Sequence, residues 1–401
     1  MRFCYVTTFY PPYNFGGDGL TSMRQAEALA DEGHEVDVVF LPGAFELLSG
    51  TSPKMPARES KVRTHGFRNR FEKLSLLGAQ QSGRPLGKAK SLKEFLSSGF
   101  DVIHFHNISL WGPEILSYGN AVKLLTLHEY WLICPTHVMF RFNRQACRAP
   151  RFCSLCTLVQ KRPPQLWRAS GLLPRMIKNI DCILSPSQFT KNLHQRYFQD
   201  QTFAHLPHFT PAPRLETPVK RETGTFLFVG RLEKIKGLQT LIPVFRRLHG
   251  MKLMVVGDGM MMDELRAETK NMPSITFHGH LEGDALERLF YQATAVIVPS
   301  LTFEISPGVI MEAYARRTPV IAQDIGSIPE FIGAGGFLYE TEERLIHHIQ
   351  MLADDPGLGR TLGDIGYQKY IENWTAERYL NRYLSIIDGI VSGREDSSVA
   401  E

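Results

Sequence analysis

One pattern constrains the fold of this chain most strongly: a short apolar strand, a glycine-bearing loop, a helix and a second strand. Residues 2–6 predict the first strand, residues 10–19 a turn-rich loop and residues 20–32 a helix with one apolar face. Gly33 stands where that helix should end, and residues 35–40 predict the next strand. Such a unit within about 40 residues is typical of a parallel, doubly wound α/β sheet.

The pattern restarts in the second half of the chain. Further strands of the first half are predicted at residues 102–106, 123–127 and 182–184. A polar, proline-rich connector then follows, with Thr210-Pro211-Ala212-Pro213 and Thr217-Pro218. Beyond it, strands are predicted at residues 225–229, 252–256, 295–298 and 319–322.

These elements predict an α/β protein of two doubly wound domains. We expect an N-terminal domain over residues 1–210, with an insertion at 131–180, and a second domain over 211–374. Thr375 is the expected cap of a last amphipathic helix, which reaches about residue 390. We expect this C-terminal segment, residues 375–401, to return to the first domain. Ligands of such folds bind at the carboxyl ends of the strands, so we expect a cleft there, between the two sheets.

The charge distribution differs between the two halves. The net charge of the 401 residues is +4, but residues 1–210 hold 25 Lys and Arg against 15 Asp and Glu. Residues 131–180 alone hold 9 basic residues and no acidic ones. Basic residues interleaved with aromatic ones fit anionic lipid headgroups or RNA, and a solvated surface fits them equally well. No nucleic-acid-binding motif accompanies them, so we expect no nucleic-acid partner.

The apolar runs are short. None approaches the ~18 residues that a membrane-spanning helix needs, and the apolar run after Met1-Arg2 is too short for a signal peptide. We therefore expect a cytoplasmic protein with reduced cysteines.

Three segments carry residues suited to phosphate and sugar chemistry. The loop with Gly16 and Gly17 precedes a helix, whose N–H groups suit a phosphate, although glycines also make tight turns for structural reasons. Arg231 and Lys236 follow a strand and suit a diphosphate, but a solvated surface is an equal reading. Glu304 and Glu312 flank the start of a helix. Their carboxylates suit sugar hydroxyls, and the free N–H groups between them suit phosphate oxygens.

Together, these segments resemble the retaining glycosyltransferases of family 4. The resemblance covers nearly the whole chain in the same order. It rests on Glu304-x7-Glu312, the Gly-Arg-Leu-x3-Lys-Gly stretch at residues 230–237, the Gly16-Gly17 loop, Leu127-His128-Glu129 and Pro319-Val320-Ile321-Ala322. It implies a GT-B fold, with two Rossmann-like domains facing across a cleft, and a UDP- or GDP-linked sugar as the donor.

The resemblance also implies residue roles. Glu304 is expected to bind the donor sugar, with His128 beside it, and Glu312 to bind the nucleotide ribose. The other expected donor contacts are the diphosphate ligands Arg231 and Lys236, the closing loop Gly16 and Gly17, the nucleobase segment Gly279, His280 and Leu281, and the helix start Ser306, Pro307, Gly308 and Val309. We name Glu304, His128, Arg231 and Lys236 as the catalytic set. A histidine satisfied at a strand end is the structural alternative for His128.

The sequence departs from the family in three places. The segment Glu304-Ile305-Ser306-Pro307-Gly308 replaces the family's Glu-Gly-Phe-Gly-Leu-Pro, and Glu129 stands in place of Asp. Arg317 stands where a helix-ending glycine is usual, so a positive φ there should cost about 1 kcal/mol. No Asp-x-Asp has a suitable context, so we expect no catalytic metal, and the arginine, lysine and helix N–H groups would stabilise the leaving diphosphate.

Four cysteines lie within the insertion. Cys134, Cys147, Cys153 and Cys156 have the spacing C-x12-C-x5-C-x2-C, which suits a structural zinc, with His137 as a substitute ligand. Some members of the resembled family carry a similar cluster. Thiols packed without a metal fit the sequence equally well.

The expected function is that of a retaining, metal-independent hexosyltransferase in surface polysaccharide or glycoconjugate biosynthesis. Its acceptor would be a glycan or a lipid-linked molecule, and its location the cytoplasm, peripheral at the inner membrane face. Two alternatives stay open: a sugar-nucleotide epimerase of the same fold, and a non-catalytic, basic adaptor for membranes or RNA. Glu304 is expected to be an exposed loop carboxylate that contributes little to stability.

Overall fold

The computed structural model describes residues 1–53, 60–215 and 219–399, with side chains as far as residue 394. Thr217 and Pro218 of the predicted connector lie outside the described residues. Contacts divide the chain into two compact units. The first unit comprises residues 1–138, 149–208 and the chain from Tyr379 onwards, and the second comprises residues 139–148 and 209–378.

The first unit is built on a seven-stranded parallel sheet. Its strand order is β3-β2-β1-β4-β5-β8-β9. The strands are β1 (Arg2–Val6), β2 (Glu35–Phe40), β3 (Arg63–Gly66), β4 (Val102–Phe105), β5 (Val122–Thr126), β8 (Cys182–Ser185) and β9 (Phe203–His205). Every residue of β4, β5 and β8 is buried, as expected for central strands that helices cover on both faces.

Eight α-helices of the described residues lie wholly or mostly in the first unit. They are α1 (Gly17–Asp31), α2 (Pro42–Ser49), α3 (Glu72–Ser82), α4 (Ala89–Leu96), α5 (Cys153–Val159), α6 (Leu172–Met176), α7 (Gln188–Gln195) and α15 (Ala376–Val399). Helix α1 begins at Gly17, three residues earlier than the apolar pattern predicts, because the glycines at its start carry no apolar side chain. Gly33 follows its end with φ 87°, the left-handed conformation expected there.

The second unit contains a six-stranded parallel sheet in the order β12-β11-β10-β13-β14-β15. Its strands are β10 (Thr225–Val229), β11 (Lys252–Val256), β12 (Ile275–Gly279), β13 (Ala295–Val298), β14 (Val320–Gln323) and β15 (Gly336–Tyr339). Its helices are α8 (Leu241–Arg247), α9 (Met262–Glu268), α10 (Gly283–Gln292), α11 (Gly308–Ala315), α12 (Ile328–Ile332), α13 (Glu342–Asp354) and α14 (Pro356–Asn373). A two-stranded antiparallel hairpin, β6 (Phe140–Arg141) and β7 (Gln145–Ala146), lies within residues 139–148.

Each sheet reverses its strand order at one point. The reversal falls between β1 and β4 in the first unit and between β10 and β13 in the second. Apolar clusters cover both faces of the second sheet, one around Phe226 and Phe245 and the other around Tyr314 and Trp374. In open α/β sheets the carboxyl ends of the strands at such a reversal are the ordinary place for a ligand. The fold therefore points to two positions, one in each unit.

The predicted cap of the last helix is confirmed. Thr375 Oγ1 accepts a hydrogen bond of 3.3 Å from the Arg378 N–H, and α15 runs to Val399, past the predicted end near residue 390. Within the first unit, the Tyr383 hydroxyl of α15 lies 3.0 Å from His104 Nδ1. The last helix therefore forms part of the core around β4.

Candidate functional site

In the second unit, a glycine brings the chain after β10 against the end of β13. Gly237 has φ 79°, and a Cβ atom there would lie 1.8 Å from the Pro299 carbonyl oxygen, so no other residue fits this close approach. Next to it, the Leu301 N–H donates a hydrogen bond of 2.8 Å to the Ile235 carbonyl oxygen. These contacts place Lys236, from the turn after β10, beside the loop that carries Glu304.

Lys236 and Glu304 form an ion pair. The distances from Lys236 Nζ to the two carboxylate oxygens of Glu304 are 2.8 and 3.1 Å, and the Ser300 hydroxyl donates to Oε1 at 2.7 Å. The Ser327 hydroxyl donates to the main-chain oxygen of Glu304 at 2.7 Å. The Glu304 side chain is only 14% exposed. The expectation of an exposed loop carboxylate is therefore wrong, because β10, β13 and the start of α12 converge on it.

The surroundings keep the Glu304 carboxylate ionised. Burial by itself raises the pKa of Glu304, but the charge and hydrogen bonds of Lys236, the Ser300 hydroxyl and the charge of Arg231 outweigh it. The net pKa of Glu304 lies below its ordinary value. An ionised carboxylate only accepts hydrogen bonds, which suits it to hydroxyl donors such as those of a sugar.

The start of α11 follows directly after Glu304. Pro307 occupies the cap position without a side-chain hydrogen bond, and a Cβ atom on Gly308 would meet nothing within 4 Å. The Ser306 hydroxyl is buried and has no hydrogen-bond partner. A buried hydroxyl without a partner beside an open helix start is the polar setting that a phosphate oxygen satisfies. Glu312 lies within the same helix, and its main-chain oxygen accepts from Arg316 at 2.9 Å.

The remaining second-unit candidates lie at strand ends and make local contacts of their own. Arg231 follows β10 and donates a hydrogen bond of 2.8 Å to Glu233, with its side chain 53% exposed. Gly279 ends β12 with φ 72° and open space around it. His280 is exposed and pairs with Glu282 at 2.9 Å. Among the predicted site residues of the second unit described in this subsection, Lys236 and Glu304 are the two that form an ion pair with each other.

In the first unit, Gly16 and Gly17 form an open helix start. Gly16 is the extended cap residue of α1, no side chain caps the helix, and a Cβ atom on either glycine would meet nothing within 4 Å. Gly19 differs, because its Cβ atom would lie 2.3 Å from the Asn14 side chain. Gly19 therefore serves packing, while Gly16 and Gly17 leave room for a ligand.

His128 belongs to a cluster of histidines at the carboxyl ends of β4 and β5. Its Nε2 atom lies 2.8 Å from His106 Nδ1, and its ring stacks on His208 with centroids 5.0 Å apart. Gln25 of α1 reaches His208 Nδ1 at 3.2 Å. His104 extends the cluster through Thr126 at 2.7 Å.

These histidines are neutral at physiological pH. Burial lowers the pKa of His128 to about 3, and burial together with the neighbouring imidazoles lowers the pKa values of His104, His106 and His208 well below the ordinary range. The His106 Nε2 atom is buried without a partner. Since an orphaned buried N–H group is rarer than an orphaned acceptor, His106 carries its proton on Nδ1 and donates it to His128. His128 then keeps its own proton on Nδ1 as a hydrogen-bond donor.

Glu129 has a local partner. Its Oε2 atom lies 2.7 Å from Nδ1 of His137, the residue that the sequence suggested as a substitute zinc ligand. Both residues flank the turn in which the Tyr130 N–H donates to the His137 carbonyl oxygen at 3.0 Å. The Glu129 carboxylate therefore stabilises this turn.

Four cysteines of the insertion are the predicted zinc ligands. Cys134, Cys153 and Cys156 belong to the first unit, whereas Cys147 lies beside the hairpin counted with the second. Cys134 Sγ lies 3.3 Å from the Thr136 hydroxyl, and Cys156 Sγ accepts from Gln160 at 3.3 Å. Within residues 1–53, 60–215 and 219–399, no group of three or more His, Cys, Asp or Glu side chains is arranged to hold a metal. Zinc binding by these cysteines stays an untested prediction.

Four residues of these sites were not predicted from the sequence: Ser300, His106, His208 and Gln25. Ser300 was hidden in a loop of common residues, and Gln25 in an apolar helix pattern. His106 carried a usable signal, because His104 and His106 alternate along one strand that ends next to the strand of His128. Residues at neighbouring parallel strand ends lie close together.

Arg317 adopts the left-handed backbone that the glycine usual at this position would favour. Its φ is 53°, directly after α11, and its main-chain oxygen lies 2.1 Å from the place of a Cβ atom on Gly363. The guanidinium packs 3.9 Å from the Tyr367 ring and pairs with Asp364. Arginine therefore makes side-chain contacts that a glycine at this position would lack.

The chain is similar to known glycosyltransferases over nearly its whole length. The model of Glycosyltransferase Family 4 matches residues 15–205, and the model of Glycosyl transferases group 1 matches residues 223–355. An uncharacterized glycosyltransferase of Methanocaldococcus jannaschii is 25% identical over 96% of this chain and 94% of its own. The protein is a glycosyltransferase.

Solved structures agree on the fold. The sucrose-phosphate synthase of Thermosynechococcus elongatus superposes with a TM-score of 0.73 at 19% identity, covering 98% of this chain and all of the other. HepE of Anabaena, in complex with UDP and glucose, gives a TM-score of 0.67 at 16% identity, covering 97% of this chain and all of the other. The fold is GT-B, and the chain belongs to the family 4-like glycosyltransferases.

Proposed function

We propose that this protein is a retaining hexosyltransferase that uses a UDP- or GDP-linked sugar. The acceptor is a glycan or a lipid-linked molecule in surface polysaccharide or glycoconjugate biosynthesis. The observation that carries the proposal is the ionised Glu304, paired with Lys236 next to the open start of α11. It places a hydroxyl-binding carboxylate, a phosphate-binding ammonium and helix N–H groups side by side.

Each group has a separate task in the proposed mechanism. Glu304 accepts hydrogen bonds from the donor sugar, Lys236 and Arg231 bind the diphosphate, and Glu312 binds the ribose. The helix start at residues 306–309 receives phosphate oxygens, and residues 279–281 lie at the nucleobase. Gly16 and Gly17 close on the donor from the first unit.

The charge that develops on the leaving diphosphate is stabilised by groups already in place. Lys236 is held at 2.8 Å from Glu304, and a phosphate oxygen is the second anion that its ammonium can bind. The acceptor hydroxyl attacks the face from which the diphosphate departs, and its proton passes to the departing phosphate oxygen. No side chain acts as a dedicated base, and no metal takes part.

His128 acts in this mechanism as a neutral hydrogen-bond donor to the sugar. A pKa of about 3 excludes a cationic imidazole at neutral pH. His106 holds the His128 ring and its tautomer through their 2.8 Å hydrogen bond. The UDP and glucose in the HepE structure support a nucleoside diphosphate sugar as the donor.

A surface of the first unit suits a lipid-linked acceptor. Phe71 and Leu74, at the start of α3, are 65% and 69% exposed, and Leu155 and Leu158 of α5 are 55% and 59% exposed. The chain after α5 packs on α3, since the Trp167 indole donates to the Gln80 carbonyl oxygen at 3.0 Å. Exposed basic residues flank these side chains: Arg70, Lys73, Arg151, Lys161 and Arg162. No helix of the described chain is long and apolar enough to span a membrane.

We therefore place this α3–α5 surface on anionic lipid at the cytoplasmic membrane face. Basic side chains gain about 1 kcal/mol each near such a surface. Wild-type protein should bind vesicles containing phosphatidylglycerol in a salt-sensitive way, and Leu158→Glu should weaken binding. Ile365→Glu, at a similarly accessible site on α14, is the control. Equal binding to phosphatidylcholine vesicles would contradict this part of the proposal.

The decisive assay for the transferase proposal measures nucleotide release from a panel of nucleotide sugars, with and without acceptor. Release that requires the acceptor supports transfer, whereas isomerisation of the sugar without acceptor supports the epimerase. Absence of nucleotide-sugar binding by calorimetry would favour the non-catalytic adaptor. Activity should persist in EDTA, and loss that magnesium or manganese restores would refute the metal-independent mechanism.

A further inference from the structure

The second unit contains a cavity at the edge of the sheet opposite to Glu304. It has a volume of about 450 Å³. Thr223, Thr294 and Arg317, which line it, each precede a strand, namely β10, β13 and β14. Lys236 and Glu304 instead follow β10 and β13, so that four or five strand residues, at about 3.3 Å each, separate the two edges. The cavity is therefore distinct from the proposed donor site.

The cavity carries an excess of positive charge. Three guanidinium groups line it, those of Arg221, Arg317 and Arg360, and Asp364 is the single carboxylate in its lining. Burial lowers the pKa of Arg221 and the charge of Arg360 lowers it further, whereas the charge of Asp364 raises it. Two cations held near one another in a partly buried place repel, and an anion between them removes that repulsion.

Arg317 contributes both its side chain and its main-chain carbonyl group to the organisation of the cavity. Its backbone is left-handed, with φ 53°, a conformation that glycine adopts more readily than arginine. The carbonyl oxygen of Arg317 accepts a hydrogen bond of 2.9 Å from Arg221 Nη2, which orients the Arg221 guanidinium at the cavity. Because Asp364 and the Tyr367 ring fix the Arg317 side chain, the arginine at this helix end organises the cationic lining.

We propose that this cavity binds a small molecule that carries a phosphate group. Arg221 and Arg360 donate guanidinium hydrogen bonds to the phosphate oxygens, because the arginine fork can bind two oxygens of one phosphate at once. The Thr223 hydroxyl supplies a further donor. The volume is within the range of small-molecule sites, and it leaves room for an organic part against Leu352 and Pro356.

Isothermal titration calorimetry with glycerol 3-phosphate and with orthophosphate, at constant ionic strength, tests the site. Wild-type protein should bind with saturation, and Arg360→Gln or Arg221→Gln should weaken binding about tenfold or more, as expected for one lost charge-assisted hydrogen bond. Arg344→Gln, an exposed arginine of α13 outside the cavity, is the matched control and should bind like wild type. Circular dichroism should show the same fold in all variants.

Lys236→Gln distinguishes the cavity from the donor site. Binding that survives in Lys236→Gln but is lost in Arg360→Gln supports the cavity. Loss in Lys236→Gln alone, equal affinity in every variant, or no saturable binding to wild type would overturn the proposal. Tighter binding of glycerol 3-phosphate identifies an organic phosphate as the ligand. Equal affinities for the two probes identify free phosphate.

Discussion

The two units place polar groups at equivalent points of their sheets but treat charge in opposite ways. At the reversal between β1 and β4, the first unit gathers imidazoles that burial keeps neutral. At the reversal between β10 and β13, the second unit holds the Lys236–Glu304 ion pair. Neutral imidazoles can form hydrogen bonds with hydroxyl groups without attracting ions. The ammonium group of an ion pair can also bind a second anion, such as a phosphate oxygen. The proposed function uses the neutral cluster for sugar recognition, and the ion pair for both the sugar and the diphosphate.

Glu304→Gln tests the charged half of this comparison, with the largest expected effect. The amide loses the negative charge and one acceptor, so sugar-transfer activity should fall by about 100-fold or more. The measurement is kcat/KM for transfer with the preferred donor. Glu268→Gln, at an exposed position on α9, should behave as wild type.

The fold of Glu304→Gln must be checked, because the carboxylate is largely buried. Its thermal unfolding and circular dichroism separate loss of chemistry from loss of structure. Turnover close to that of the wild-type enzyme in a folded variant would remove Glu304 from the site.

Acid should separate the stabilities of the two units. Burial lowers the pKa values of six first-unit histidines but of one in the second, His348; the six are His34, His104, His106, His128, His194 and His208. The unfolded chain, with histidine pKa values near 6.5, then binds more protons than the folded chain, so stability falls as the pH drops below 6.5. Each fully buried histidine contributes up to about 1.4 kcal/mol per pH unit, and the partly exposed His34 contributes less because solvent screens its charge.

The Glu304 pair follows a different pH window. Its carboxyl pKa lies below the ordinary value of 4.5, so its contribution is present above that pH and is lost only as the pH falls through the folded pKa. Between pH 6.5 and 5, hydrogen exchange corrected for intrinsic rates should therefore accelerate in peptides of β1 and β4 more than in those of β10 and β13. Equal acceleration in both units would contradict the assignment of neutral histidines.

His106→Phe tests the neutral half and should have the smallest effect. Loss of the hydrogen bond to His128 should lower kcat about tenfold with little change in KM, because one neutral hydrogen bond is worth about 1 kcal/mol. His106→Asn keeps a donor near the Nδ1 position and should recover part of the activity. An equal loss in both variants would show that His106 serves packing alone.

The strands that the sequence predicted are those whose residues are buried on both faces. Residues 2–6, 35–40 and 225–229 match β1, β2 and β10. A buried strand of a parallel sheet is a run of apolar residues, which can be recognised without knowing the strands it pairs with. Strand β3 was missed, since Arg63-Thr64-His65-Gly66 is polar and mostly exposed. It is held by pairing with β2 and by the contacts of Arg63 and His65 with the buried Asp37.

The sequence predicted those residues of the candidate site that belong to local motifs. Glu304, Lys236 and His128 stood out through their spacing, but the Lys236–Glu304 contact depends on a glycine 67 residues before the carboxylate, Gly237, fitting under Pro299. The cavity with Arg221 and Arg360 joins residues distant in sequence, and no local pattern marks it. Contacts of this kind follow from the packing of the whole sheet.

The hydrogen bond between Tyr383 and His104 also has a consequence for the order in which the protein is made. The two residues are 279 positions apart in the chain. At about 5–20 residues per second, a ribosome needs on the order of 15 to 60 seconds to travel from one to the other. During that interval the second unit emerges whole, while the first still lacks the helix that covers His104. The first unit, although most of it is synthesised before the second, is thus completed after it.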